Sequence, residues 1–172
     1  ATPPIPVSLL TTPLFHVTAN NCGAYATTAA GGTIVLMYRW DAGEALRIIE
    51  KERVTSIGGV PVMARELINH PDFATTDVSS LTSLSGGGAQ VPPDLVHKIE
   101  DGVASARPST GYGMTETCGI ITSNSGDFFV DKPDSAGPAM PAYEAKCVDD
   151  AGNTVAPGEI GELWVRSAAV IK

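Results

Sequence analysis

"RVTSIGGVPVMARELI", residues 53 to 68, holds the pattern on which the fold turns. Val54 to Ile57 is a short run with three β-branched residues that reads as a buried strand, and Gly58-Gly59 ends it. Pro61 then supplies the fixed φ of a first helical position, and Val62, Met63, Leu67 and Ile68 place apolar side chains at helical spacing. Strand, glycine pair, proline-started helix: a segment of this kind carries the chain back to the sheet for a parallel strand.

The same pattern lies on either side. Thr33 to Met37 is an apolar strand, followed by a helix that Asp41 caps and Glu44 supports three residues on, with Ala45, Ile48 and Ile49 inward. After a polar loop from Asn69 to Ser80, Leu81 to Ser85 is a third strand, ended by Gly86-Gly87-Gly88. Pro92-Pro93-Asp94 opens a helix carrying Leu95, Val96 and Ile99. Upstream, the alanine-rich stretch from Phe15 to Ala30 predicts a helix packed on the sheet. Residues 1–132 therefore read as an α/β unit, a parallel βαβ sheet flanked by helices.

Beyond Pro133 the character changes. "DKPDSAGPAMP", residues 131 to 141, is a connector punctuated by proline and glycine. Residues 133–172 read as a small antiparallel β piece: Tyr143 to Val148, a turn through Asp150 to Asn153, and Ile160 to Val165. Ile160, Leu163 and Val165, with Trp164 between the last two, predict burial on both faces for part of that strand.

Eleven basic and nineteen acidic residues leave a formal charge of -8 on 172 residues. With no cluster of Lys or Arg to offset it, most of this surface repels a nucleic-acid backbone or an anionic membrane. The cysteines Cys22, Cys118 and Cys147 are odd in number and widely spaced, which argues against a disulfide framework or a zinc site and for a reducing, cytoplasmic setting. No apolar run is long enough to span a bilayer.

In open parallel sheets, ligands bind outside the carboxyl ends of strands. Two glycine-rich turns are expected at such ends, "SGGGAQ" at 85 to 90 and "STGYGMTE" at 109 to 116. Glycine lets the backbone approach a ligand, and successive N–H groups receive phosphate oxygens. Tyr112 can lay its ring on a flat heterocycle, Thr115 can donate to a phosphate oxygen, and Glu116 beside it makes sense if Mg2+ bridges the two. The other reading of the same residues is an ordinary tight loop with a solvated glutamate. There is no GxxxxGK[ST] and no GxSxG; Gly111-Tyr-Gly113-Met-Thr-Glu116 has a glutamate where a dinucleotide fingerprint needs a small residue; and His16, His70 and His97 lack metal-ligand spacing.

"TPLFH" at 12 to 16, "SGGGAQ" at 85 to 90, "GYGMTE" at 111 to 116 and "GEIGELWVRS" at 158 to 167 occur in this order in the adenylate-forming superfamily. The chain resembles its acyl-CoA synthetases, the fatty-acid or aryl-acid CoA ligases. The resemblance implies attack of a carboxylate on the α-phosphate of MgATP, giving an acyl-adenylate and pyrophosphate, and then displacement of AMP by coenzyme A. It implies that Tyr112, between Gly111 and Gly113, stacks on adenine; that Thr115 touches the α-phosphate; and that Glu116 accompanies Mg2+. It places Gly87, Gly88 and Ala89 along adenine and the acyl chain, with Gln90 where the family often has proline. It puts His16 near the reacting carboxylate and thiol entry, and Val17, Cys22, Gly58 and Gly59 along the acyl tunnel.

Without the resemblance, His16 reads as a core histidine, Cys22, Cys118 and Met114 as packing residues, Trp164 as barrel packing and Glu162 as structural. The family's phosphate-binding loop is expected before residue 1, and its ribose-binding aspartate and C-terminal lid after Lys172. The 172 residues alone are thus expected to be inactive and, through an open sheet edge, to form homo-oligomers. Within the superfamily, a module that loads a carrier protein or a luciferase-like oxidase fits the same motifs. Outside it, a non-catalytic α/β binding module fits the βαβ pattern.

Overall fold

The computed structural model describes residues 5–171, so the outermost bounds of the two expected parts, residues 1 and 172, lie outside it. The main sheet contains β1 (Val7–Leu10), β2 (Thr33–Leu36), β3 (Ser56–Gly59), β4 (Ser83–Gly87), β5 (Arg107–Met114) and β6 (Gly119–Ser125), in the order β2-β1-β3-β4-β5-β6. All neighbours are parallel except β5 and β6. A separate antiparallel pair joins β7 (Glu144–Val148) to β8 (Glu162–Arg166).

The expected helices form where their start signals lie. α2 (Ala42–Glu52) begins at Asp41, whose carboxylate accepts the Glu44 N–H at 2.8 Å, and ends on Arg53 in the left-handed region at φ 51°. α3 (Pro61–Ile68) and α4 (Pro93–Gly102) both open on proline. These helices cover one face of the sheet, where Leu9, Ile57 and Leu84 of the strands meet Leu46, Ile49, Leu67, Leu95 and Ile99 in one buried cluster. Burying each such side chain stabilises the fold by roughly 1.5–3 kcal/mol. The opposite face carries Thr18–Tyr25, wound as a π-helix, which continues into α1 (Ala26–Ala29).

That distribution creates a crevice. From β1 the chain crosses by the 18–29 helix to β2 on one side, whereas from β3 it crosses by α3 to β4 on the other. The two connections diverge at the carboxyl ends of adjacent strands, which is the topological switch point of an open α/β sheet. Thr11 bridges it, donating its hydroxyl to the Gly58 carbonyl at 3.0 Å.

Several expectations change. β3 and β4 do end on Gly58-Gly59 and Gly86-Gly87, but these pairs are part of the ladder as its last two residues, and Gly111 to Gly113 lie inside β5. A ladder needs only backbone groups, and the missing side chains open space: a Cβ on Gly59 would meet Met63 Sδ at 2.8 Å, and one on Gly86 would meet Val91 at 3.0 Å. β1, β5, β6 and α5 (Gly126–Asp131) have no counterpart among the elements expected from the sequence. The last strand is not buried on both faces: Ile160 is fully exposed, and Leu163 and Trp164 are exposed at 39% and 47%. A two-stranded sheet with no layer packed on it cannot bury them.

Candidate functional site

The crevice opens into a cavity of about 1040 Å³ along the carboxyl ends of β1, β3, β4 and β5. Every residue expected at the site lines it: His16, Val17 and Cys22; Gly58 and Gly59; Gly87, Gly88 and Ala89; Gly111, Tyr112, Gly113, Thr115 and Glu116.

The two glycine segments meet through register. Gly87 of β4 pairs with Gly111 of β5, and Gly88 leaves the strand at φ +73° with open space where a Cβ would stand. The backbone from Gly87 to Ala89 therefore offers one wall with no side chain beyond a methyl. Tyr112, next to Gly111 on β5, is partly exposed and lines the same cavity, and the β5–β6 ladder shifts register between Tyr112 and Gly113. Such a bulge re-aims a side chain near a strand end. Gly113 is obligatory there, because a Cβ would sit 1.9 Å from the Gly119 carbonyl oxygen.

Beyond Met114 the chain makes a single 3-10 turn, Thr115–Thr117, with Cys118 at φ 55°. Thr117, which the sequence reading passed over, is the pin. Its buried hydroxyl receives the Met114 N–H at 3.2 Å and reaches the carbonyls of Met114 and Gly119, both at 2.9 Å. With Thr117 tied inward, Thr115 and Glu116 stand exposed at the mouth. Tyr143 and Ile171 secure the turn from outside: Tyr143 donates its hydroxyl to the Thr117 carbonyl at 2.6 Å, and the Ile171 N–H donates to the Glu116 carbonyl at 2.9 Å.

His16 is not a core residue. It is exposed at the entrance to the π-helix, and its Nδ1 accepts the Thr18 N–H at 3.2 Å. In the neutral ring the proton is therefore on Nε2. Met114 lines the cavity and Cys118 is exposed, so neither is a packing residue. Cys22 is half-buried on the roof, and that burial pushes its thiol above the ordinary range. Trp164 packs in no barrel: Lys146 lies 5.0 Å over its ring, and its Nε1–H donates to Glu162 at 2.9 Å.

The cavity floor was not visible in the sequence. Ser8, Ser56 and Ser83 form one row across adjacent strands, and Leu10, Gly58, Ser85 and Ser109 form the next. Small side chains on this face, opposite the packed helices, leave the space that the cavity occupies.

Glu116 and Asp134 are the carboxylates that line the cavity, and among the described residues no three His, Cys, Asp or Glu side chains cluster as a metal cage. The Glu116 carboxylate at the tip of an open cleft fits Mg2+, which is commonly held by one or two carboxylates together with substrate phosphates. Among the described residues no helix is long and apolar enough to cross a membrane.

The chain matches the family model for AMP-binding enzymes over residues 2–172. It is 36% identical over 166 residues to a feruloyl-CoA synthase of Amycolatopsis, covering 96% of this chain and 33% of that one. It is 35% identical over 164 residues to an indoleacetate–CoA ligase of Aromatoleum aromaticum, covering 95% and 32%. It thus spans about a third of the length of the curated relatives it matches. Among solved structures it superposes on the N-terminal domain of FACL13 from Mycobacterium tuberculosis with a TM-score of 0.88, at 28% identity over 98% of this chain and 41% of that one. It superposes on the o-succinylbenzoate CoA synthetase of Bacillus subtilis, in complex with ATP and magnesium, with a TM-score of 0.85, at 29% identity over 99% and 34%. With a family model matched over nearly all its length, the chain belongs to the AMP-binding enzymes.

Proposed function

We propose that this chain forms the adenylate-binding centre of an acid:CoA ligase, which activates a carboxylic acid with ATP and passes the acyl group to coenzyme A. The observation that carries the reading is the convergence on one cavity of the Gly87–Ala89 wall, the Tyr112 ring and the Thr115–Glu116 tip. Tyr112 stacks on adenine beside the bare backbone wall. Thr115 donates its hydroxyl to an α-phosphate oxygen. Glu116 holds Mg2+, whose charge offsets that of the phosphates when it is bound. His16, with Nε2–H free of the Thr18 contact, hydrogen-bonds an oxygen of the acid's carboxylate near the thiol entry. Val17, Cys22, Gly58, Gly59 and Gly88 border the acyl group.

Adenylation is chiefly a matter of positioning and charge neutralisation. The 172 residues alone, which contain neither the family's phosphate loop nor its ribose-binding aspartate, bind nucleotide weakly and do not turn over. Residues 1–132 and 133–172 act as two subdomains of the larger enzyme. The three cysteines of these 172 residues, all free, suit the cytosol.

The test is ATP–pyrophosphate exchange by the full-length protein with a panel of carboxylic acids, repeated for Thr115→Val and Glu116→Gln. Exchange that falls by about 100-fold or more in either variant supports the assignment. Unchanged exchange in both removes these residues from the reaction and favours a binding module.

A further inference from the structure

If the cavity is an adenylating site, as proposed above, its far end bears on which acid it takes. We propose that the acid is an aromatic monocarboxylate with a hydroxyl on its ring, and that Ser83 and Ser109 recognise that hydroxyl.

Depth comes first. From Gly87, at the nucleotide end, β4 runs back four residues to Ser83, roughly 13 Å at about 3.3 Å per residue. That length suits a ring on a short side chain, with its carboxylate at the mouth. The walls suit a flat group. Ile120 lies over Gly111, its side chain 3.2 Å from where a Cβ would stand, and Leu10 packs against Gly23 of the roof at 2.7 Å by the same measure. Between these apolar residues the floor is Gly58 and Ser85, and Ser85 is already committed, donating to the Ile57 carbonyl at 3.1 Å.

Polarity at the far end separates acid classes. The deeper hydroxyls are tied to one another at ordinary distances: Thr27 donates to Ser8 at 2.8 Å, and Ser8 and Ser56 are 3.0 Å apart. Ser83 and Ser109 differ. Both line the cavity half-buried, and their oxygens are 3.4 Å apart, long for a bond between hydroxyls. Each hydroxyl has one donor and two acceptor sites, so the pair retains unused capacity. An alkyl chain laid over it displaces water and returns nothing, whereas a ring hydroxyl donates to one serine and accepts from the other. A second carboxylate finds no partner here. Arg107, which pairs with Ser83 in the ladder, is engaged by Glu100 and Asp127.

The experiment uses the full-length protein with matched acids: cinnamate against 4-hydroxycinnamate, benzoate against 4-hydroxybenzoate, and octanoate and palmitate as alkyl acids. Binding is read by saturation-transfer NMR, and activation by ATP–pyrophosphate exchange. The expected result is that the hydroxylated member of a pair is favoured by about ten-fold or more in kcat/KM, and that the Ser83→Ala/Ser109→Ala double variant closes the gap. The wild-type ranking is decisive even if the variant does not fold. Equal values within pairs, preference for an alkyl acid, or a gap that survives the double variant overturns the proposal. Exchange with alkyl acids alone removes the acid class and keeps adenylation. Binding that favours the hydroxyl, with no exchange for any acid, removes adenylation and keeps the acid class. Neither binding nor exchange overturns both.

Discussion

The Tyr143 hydroxyl donates to the main-chain carbonyl of Thr117 at 2.6 Å, joining the segment before β7 to the turn that carries Thr115 and Glu116. Thr117 is 3% exposed, so its carbonyl loses a partner in a nearly dry place if Tyr143 is shortened by one oxygen. Tyr143→Phe is expected to cost about 1 kcal/mol and to loosen Thr115 and Glu116. Chemical denaturation measures the first effect. Pyrophosphate exchange by the full-length protein, falling more than stability alone explains, measures the second.

Gly113 and Gly88 line the same cavity but should respond differently to alanine. At Gly113 the new methyl would overlap the Gly119 carbonyl, whereas at Gly88 it enters open space and only the positive φ resists. Gly113→Ala is expected to destabilise by more than about 3 kcal/mol, and Gly88→Ala by about 1–2 kcal/mol. Urea midpoints for the two variants check the order; equal losses would show that the bulge relaxes.

Asp77 contributes to the loss of stability in acid. Hydrogen bonds from Ser79, and then the Arg53 guanidinium 2.6 Å away, lower its carboxyl to about 2. Its folded value is below the unfolded one, so the stabilisation is complete above about pH 4 and is lost as pH falls toward 2. Asp77→Asn should make stability fall less steeply across that window, where the carboxyls of Asp94 and Asp149 are also lowered, and leave its slope above pH 5 unchanged. Denaturation midpoints between pH 2 and 6 provide the comparison.

Cys22 should be the slowest thiol to alkylate. Burial raises its pKa, while Cys118 and Cys147 are exposed, and it is the thiolate that reacts. Timed iodoacetamide labelling at pH 8 with mass-spectrometric readout is expected to modify Cys118 and Cys147 first. Faster labelling of Cys22 would mean that the roof helix opens.

The isolated chain is expected to self-associate. β2 is an edge strand with Leu36 58% exposed, and Ile5, Phe15 and Tyr38 are exposed in the segments flanking β1 and β2. Unpaired strand edges with apolar side chains are templates for pairing. Light scattering should show concentration-dependent mass that Leu36→Lys reduces; a monomer at every concentration would refute it.

β2, β3, β4 and the three long helices were legible because each signal is local: Asp41 before α2, Pro61 before α3, Pro93 before α4. β1 was not, since four residues behind a proline-rich start carry too little periodicity. The β5–β6 hairpin was hidden for another reason. Glycine, threonine and serine look like loop residues, yet a strand bordering a cavity uses them for their smallness. Local motifs brought the tip and glycine walls into view. The serine floor stayed hidden because Ser8, Ser56, Ser83 and Ser109 are scattered along the chain and only strand register collects them.

Apart from Leu10, the floor is glycine and serine, whereas the apolar cluster that holds the sheet together lies mostly beneath, on its other surface. The chamber's shape and the sheet's cohesion thus draw on largely different residues. Lengthening a floor side chain trims the chamber without carving a void in the interior, so re-tailoring this protein toward a shorter or bulkier guest becomes a problem of upholstery, with the frame left standing.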